Sequence, residues 1–229
     1  MEYPHNRPYT ADDLVRIITL LRDPVNGCPW DKVQTHTSIR MNFLEEAYEA
    51  VDALDLDDPV LMCEELGDAL MQVAFHTCME QETGRFTWEQ VCDGVCQKLI
   101  ERHPNIFGTQ PGYEGITDWD ALKNKEKGRR TLADDLESVP RAMPALMRAA
   151  KLQKRAARHG AALQGTDAAA LADAAENLQT AQPASAQAEQ AVGELLFAAA
   201  NLARQAGVDP EQALQKANEA FCTAAGPVA

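Results

Sequence analysis

The stretch LEEAYEAVDALDLDDPVLMCEELGDAL, residues 44–70, sets Glu45, Glu46, Glu49, Glu64, Glu65 and Asp68 among Leu, Val, Ala and Met at helix-like spacing. Two like charges 4 Å apart repel by about 4 kcal/mol even at an effective dielectric near 20. Acids so placed either face water or surround a cation. In the first helix, Phe43, Leu44, Ala47, Tyr48, Ala50, Val51 and Leu54 make one apolar arc, and Glu45, Glu46 and Glu49 fill the remaining sector. Alone, that is an amphipathic helix with a wet acidic face. The second helix is apolar in almost every direction, as a buried helix is, yet it carries Glu65 and Asp68 at i and i+3 on one face. Buried carboxylates are rare unless they are paired or hold a metal. If the chain reverses near residues 57 and 58, Glu49 and Glu65 stand about 13 and 11 Å from the turn, and Glu45 and Asp68 about 19 and 16 Å. No Lys or Arg lies between residues 45 and 68 to neutralise them. Several hard oxygen ligands without His or Cys suit Mg²⁺ or Mn²⁺. A di-iron bundle would want Glu-x-x-His, which neither helix has.

The elements that must hold these acids follow from caps and breakers. Thr10 with Asp13, then apolar residues at 14, 17, 18 and 21, predicts a capped helix that stops at DPVNGCPWD. Helices are expected over about 38–54 and 60–81, separated by DLDDP. TGRFTWEQ reads as a turn with a new cap, and a third helix carries VCDGVCQKLIERH up to Pro104. Residues 105–120 read as an irregular link, and LKNKEKGRR (122–130) as a solvated helix face or linker. From about Arg141 the chain is Ala-rich helix, loose near 180–186. There AVGELLFAAANLARQAG (191–207) lies over ELGDALMQVAFHTCMEQ (65–81), and EQALQKANEAF (211–221) over EQVCDGVCQKLIERH. This is an internal duplication. The expected organisation is a first repeat with the acidic site over 1–112, a linker and connecting helix over 113–150, and a second repeat over 151–229.

With 229 residues, 45% hydrophobic and 6% aromatic, the chain can bury one large core or two small ones, and its periodicity predicts an all-α fold. A net charge of −14 argues against a binder of nucleic-acid polymers, which needs a basic surface, but not against one nucleotide bound through metal ions. Six cysteines without a C-x-x-C pair, and no secretory signal, predict reduced thiols and a cytoplasmic protein. No apolar stretch is long enough to span a membrane.

Glu45-Glu46-x-x-Glu49, followed after fifteen residues by Glu65-x-x-Asp68, resembles the metal-binding signature of MazG-type nucleoside triphosphate pyrophosphohydrolases. The flanks LLRDPVNGCPWD, KLIERHPNIFG and ALMRAAKLQKRAARHG resemble the same family. The resemblance implies an all-α tandem-repeat homodimer that cleaves nucleoside triphosphates between the α and β phosphates, giving the monophosphate and pyrophosphate. It implies Mg²⁺ held by Glu46, Glu49, Glu65 and Asp68, with Glu45 as a further ligand or the general base. Lys98 and Arg102, at i and i+4, would reach the phosphates or remain surface charges. Trp30 would stack on a base or anchor its loop, Lys32 and Gln34 are further nucleotide contacts, and His103 is a helix-end residue. The second repeat departs from the pattern. Asp173, Ala174, Asn177, Ala191 and Glu194 stand at the five acidic positions, and GAALQG replaces the family's aromatic, acidic stretch. That copy is expected to serve packing and dimerisation. The alternative for the whole chain is a non-catalytic dimerisation or regulatory protein that keeps the fold and nucleotide binding.

Overall fold

The computed structural model describes residues 2–104, 106–108, 122, 126–128 and 131–226, and the chain divides into two units, Met1–Ile116 and Thr117–Ala229. Every regular element among the described residues is helical. The expected link at 105–120 and the basic stretch 122–130 fall largely outside those residues.

In the first unit, α1 (Ala11–Leu21) starts at the capping box expected there. The Thr10 N–H donates to Asp13 Oδ2 at 2.9 Å and the Asp13 N–H to Thr10 Oγ1 at 3.3 Å. Each bond satisfies a donor that the helix cannot. Val15 and Ile18 then join a core with Ile39, Ala74, Phe75, Cys78, Met79 and Trp88. The chain leaves α1 through a tight turn in which a β-carbon on Gly27 would meet the carbonyl oxygens of Asp23 and Leu21 at 2.4 Å. Only glycine fits. The following loop is tied down by the buried Arg22, which donates to the carbonyls of Asp31 (2.7 Å) and Gln34 (3.2 Å) and grips Glu82 at 2.6 and 2.8 Å.

Helix α2 (His36–Asp55) opens with a Thr35–Ser38 capping box, and α3 (Pro59–Glu82) with Asp58 accepting from the N–H groups of Val60 and Leu61. Pro59 sits where a helix needs no N–H. The two form an antiparallel hairpin, and α4 (Trp88–Arg102) follows a Thr87–Gln90 box. Burial along the hairpin is uneven. The C-terminal half of α3, from Gln72 to Glu80, is largely covered, with α1 and the start of α4 packed on the helix, whereas Leu66 and Leu70 are exposed. On α2, Ile39, Ala50 and Ala53 are buried, but Phe43, Tyr48, Val51 and Leu54 of the expected apolar arc are exposed. The expectation of an α3 covered on every side therefore holds, within one chain, only where neighbouring helices reach it.

In the second unit, α5 (Leu132–Glu137) is fastened to α6 (Ala145–Arg158) by charge. Asp135, 1% exposed, meets Arg155 at 3.0 Å, Arg158 at 2.8 Å and His159 at 3.1 Å. Residues 131–150, read above as part of a linker, are folded into this unit. Gln153 of α6 donates to the Phe197 carbonyl at 2.7 Å. That carbonyl belongs to α8 (Ala186–Gln205), which forms a second hairpin with α7 (Ala168–Thr180) across the expected loose stretch. Helix α9 (Pro210–Ala225) starts at Asp209, which accepts from the Glu211 and Gln212 N–H groups. No helix among the described residues is long and apolar enough to cross a membrane.

Candidate metal and substrate site

The hairpin register brings Glu46 and Glu49 of α2 against Glu65 of α3. Each offers one carboxylate oxygen, and the three lie within 4.8 Å of one another. Glu46 accepts from Nε2 of the buried Gln72 at 3.4 Å. Glu65 Oε2 is fully covered and has no hydrogen-bond partner among the described residues. A covered anionic oxygen without a partner is costly, and one flanked by two further carboxylates is a natural ligand for a hard divalent cation. The donor set fits Mg²⁺ or Mn²⁺, because every ligand atom is a carboxylate oxygen.

The protein also raises the proton affinity of these groups. Burial holds the Glu65 carboxyl above its ordinary range, and the charges of Glu49, Glu64, Asp68 and Glu46 push the same way. Burial raises Glu46 too; the Gln72 hydrogen bond opposes this, and Asp68, Glu49 and Glu45 reinforce it. Asp68 is half-buried one turn along α3 from Glu65, within electrostatic reach of both. Glu45 is exposed and stands outside the three-oxygen cluster.

The remaining predicted contacts lie on other elements, the loop before α2 and helix α4. Trp30, Lys32 and Gln34 lie in the loop before α2. Trp30 is 57% exposed, and its carbonyl accepts from Gln34 Nε2 at 3.0 Å. Lys32 Nζ donates to the Pro24 carbonyl at 3.4 Å. Gln34 lies before the start of α2 at His36, which itself precedes Glu46 by ten positions, about 15 Å along the helix axis. On α4, Lys98 is exposed and Arg102 is half-buried in the last turn, whereas α4 meets α3 at its start, where the Trp88 N–H donates to Gln81 Oε1 at 3.3 Å. His103 ends the helix as expected, with Nδ1 2.7 Å from the Leu99 carbonyl oxygen. Residues that the sequence reading passed over continue the acidic stripe of α3. Gln72, His76 and Glu80 follow Glu65 and Asp68 at steps of three and four, and that period was the available signal.

The second hairpin lacks such a cluster among its described residues. Ala174 and Ala191, at the positions of Glu46 and Glu65, are each 2% exposed. At these aligned sequence positions the second hairpin packs methyl groups and the first holds carboxylates. Glu194 is exposed and accepts from Gln190 at 2.8 Å.

Comparison with known proteins agrees with this architecture. Residues 34–107, from the loop before α2 to just past α4, match the family described as the MazG nucleotide pyrophosphohydrolase domain. The chain is 41% identical over 221 residues to the nucleoside triphosphate pyrophosphohydrolase of Escherichia coli (strain K12), covering 92% of this chain and 83% of that protein. It is 38% identical over 212 residues to the nucleoside triphosphate pyrophosphohydrolase/pyrophosphatase MazG of Thermotoga maritima, covering 92% and 82%.

Proposed function

We propose, since the chain belongs to the MazG nucleotide pyrophosphohydrolase family, that it hydrolyses nucleoside triphosphates to the monophosphate and pyrophosphate at the acidic cluster of its first unit. One observation carries this reading. Glu46, Glu49 and Glu65 converge within 4.8 Å around a covered Glu65 oxygen that none of the described residues satisfies.

Glu46, Glu49, Glu65 and Asp68 would hold Mg²⁺, or Mn²⁺, which when bound neutralises phosphate charge and makes a water more acidic. Glu45, outside the cluster, takes the proton as the water oxygen attacks the α-phosphorus, and the bridging oxygen leaves with pyrophosphate. Lys98 and Arg102 bind the phosphates. Trp30, Lys32 and Gln34, in the loop before α2, are further nucleotide contacts in this reading. A homodimer is part of the reading. Tyr48, Val51, Leu54, Leu66 and Leu70 are exposed around the acidic end of the hairpin, and an apolar surface of this kind marks an interface. Free thiols at Cys28, Cys63, Cys78, Cys92, Cys96 and Cys222 suit a cytoplasmic enzyme.

The test is product analysis with a panel of nucleoside triphosphates and Mg²⁺. Monophosphate and pyrophosphate in equal amounts, abolished by a chelator, are expected. Release of orthophosphate with the diphosphate, or no turnover of any nucleotide, would overturn the reading.

A further inference from the structure

Along the α2–α3 seam, on the side away from the hairpin turn, a cleft of about 430 Å³ opens beyond the acids. His36, Arg40 and Phe43 of α2, Val73 and His76 of α3, and Phe86 line it. Its size is that of a small-ligand site. Its floor holds a chain of hydrogen bonds from Glu80 through His36 to His76. Glu80, 6% exposed, lies 2.6 Å from Arg85 and 2.5 Å from His36 Nε2. A carboxylate only accepts, so His36 Nε2 carries the hydrogen. In the singly protonated ring, His36 Nδ1 is then a lone pair, and it lies 2.8 Å from His76 Nδ1, which in that tautomer donates. The two rings are nearly parallel, 5.0 Å between centres and 7° apart in plane. His76 Nε2 is left as an acceptor. Burial makes His76 harder to protonate, which keeps that lone pair available.

The cleft and the acids are neighbours. Phe43 is three positions from Glu46 on α2, and His76 four from Gln72, the residue bonded to Glu46. One helical turn, about 5 Å, separates them, a span that a pentose bridges. Phe43 meets the His76 ring edge-on at 5.9 Å. We propose that this cleft is the nucleobase subsite of the enzyme, in which Phe43 and Phe86 pack on the base and His76 Nε2 accepts a hydrogen bond from an exocyclic amino group. It therefore favours cytosine and adenine nucleotides over uracil nucleotides. The proposal rests on the acidic cluster being the phosphate end of the site.

CTP and UTP differ at the base in the amino or keto group at C4 and in the N3 hydrogen that uracil carries, so their kcat/KM ratio in the full-length protein reads the subsite. The wild type should prefer CTP. His76→Phe should reduce the CTP/UTP ratio about tenfold, the worth of one net hydrogen bond, and His76→Gln, which keeps an acceptor, should retain the preference. Phe86→Ala, at a partly exposed position that can lose its ring without unfolding the protein, should raise KM for both nucleotides several-fold. An unchanged ratio in His76→Phe, or an unchanged KM in Phe86→Ala, overturns the proposal. Calorimetric binding of CMP against UMP separates the two levels. A CMP preference that His76→Phe removes, in a protein that hydrolyses nothing, supports the cleft and overturns the catalytic reading. Hydrolysis with no base preference overturns the cleft alone.

Discussion

At Glu65, burial and four like-charged neighbours act together on one carboxyl, and Glu46 is raised by similar causes. A carboxyl whose folded-state pKa is raised binds its proton more tightly in the folded protein than in the unfolded chain. It adds stability below the ordinary value near 4.3, and that contribution is lost as pH climbs through the raised value. The metal-free wild type should therefore lose melting temperature, relative to Glu65→Gln, as pH rises from about 4 to about 7. Parallel profiles for the two proteins would show that Glu65 is not electrostatically strained. Mg²⁺ at neutral pH should recover the lost stability by binding only the folded state. Glu49→Gln and Asp68→Asn should each abolish hydrolysis, while the metal-free melting temperature holds or rises because a like charge has gone. Near-normal turnover in either variant would remove that residue from the site. The acids themselves were legible in the sequence, since their spacing is a helical one. That Glu46 rather than Glu45 joins Glu49 and Glu65, and that Gln72 supports it, depends on how α2 is rotated against α3. Periodicity alone does not supply that angle.

Helix starts were readable because caps are local chemistry. Thr10, Asp58 and Thr87 each bond backbone donors within three residues. Burial was less readable, because it depends on which helices reach a given face. The apolar arc of α2 read as a core, yet Tyr48, Val51 and Leu54 are exposed in the chain by itself. The opposite error hid Asp135, which gave no sign in the sequence that it would be 1% exposed and bonded to Arg155, Arg158 and His159. Removing one partner of a buried ion pair typically costs about 3–5 kcal/mol, because the other charge stays behind. Asp135→Ala should cost the second unit that much, read from its denaturant midpoint. A loss under about 1 kcal/mol would mean that the Arg155 guanidinium finds water or another partner with ease.

For the molecule as a whole, a charge of −14 coexists with an apolar surface beside the acidic end of the first hairpin. A second copy of the chain is the partner that the dimer reading supplies, and it would cover the exposed arc of α2 and the N-terminal half of α3. Sedimentation at micromolar concentration should show a species near twice the 25.0 kDa chain mass. A stable monomer would contradict the dimer. The two hairpins differ in chemistry, since the sequence alignment sets buried Ala174 and Ala191 against Glu46 and Glu65 of the first. Glu194 and Asp173 are too few oxygens for a hard dication that wants several. The most direct measurement is pyrophosphate release by Glu65→Gln and Glu194→Gln, side by side with Mg²⁺ and the same triphosphate. Loss of turnover in Glu65→Gln, with Glu194→Gln near the wild type, is the result expected of a site in the first unit. Full activity in Glu65→Gln, or a large loss in Glu194→Gln with its assembly intact, would place catalysis in the second unit instead.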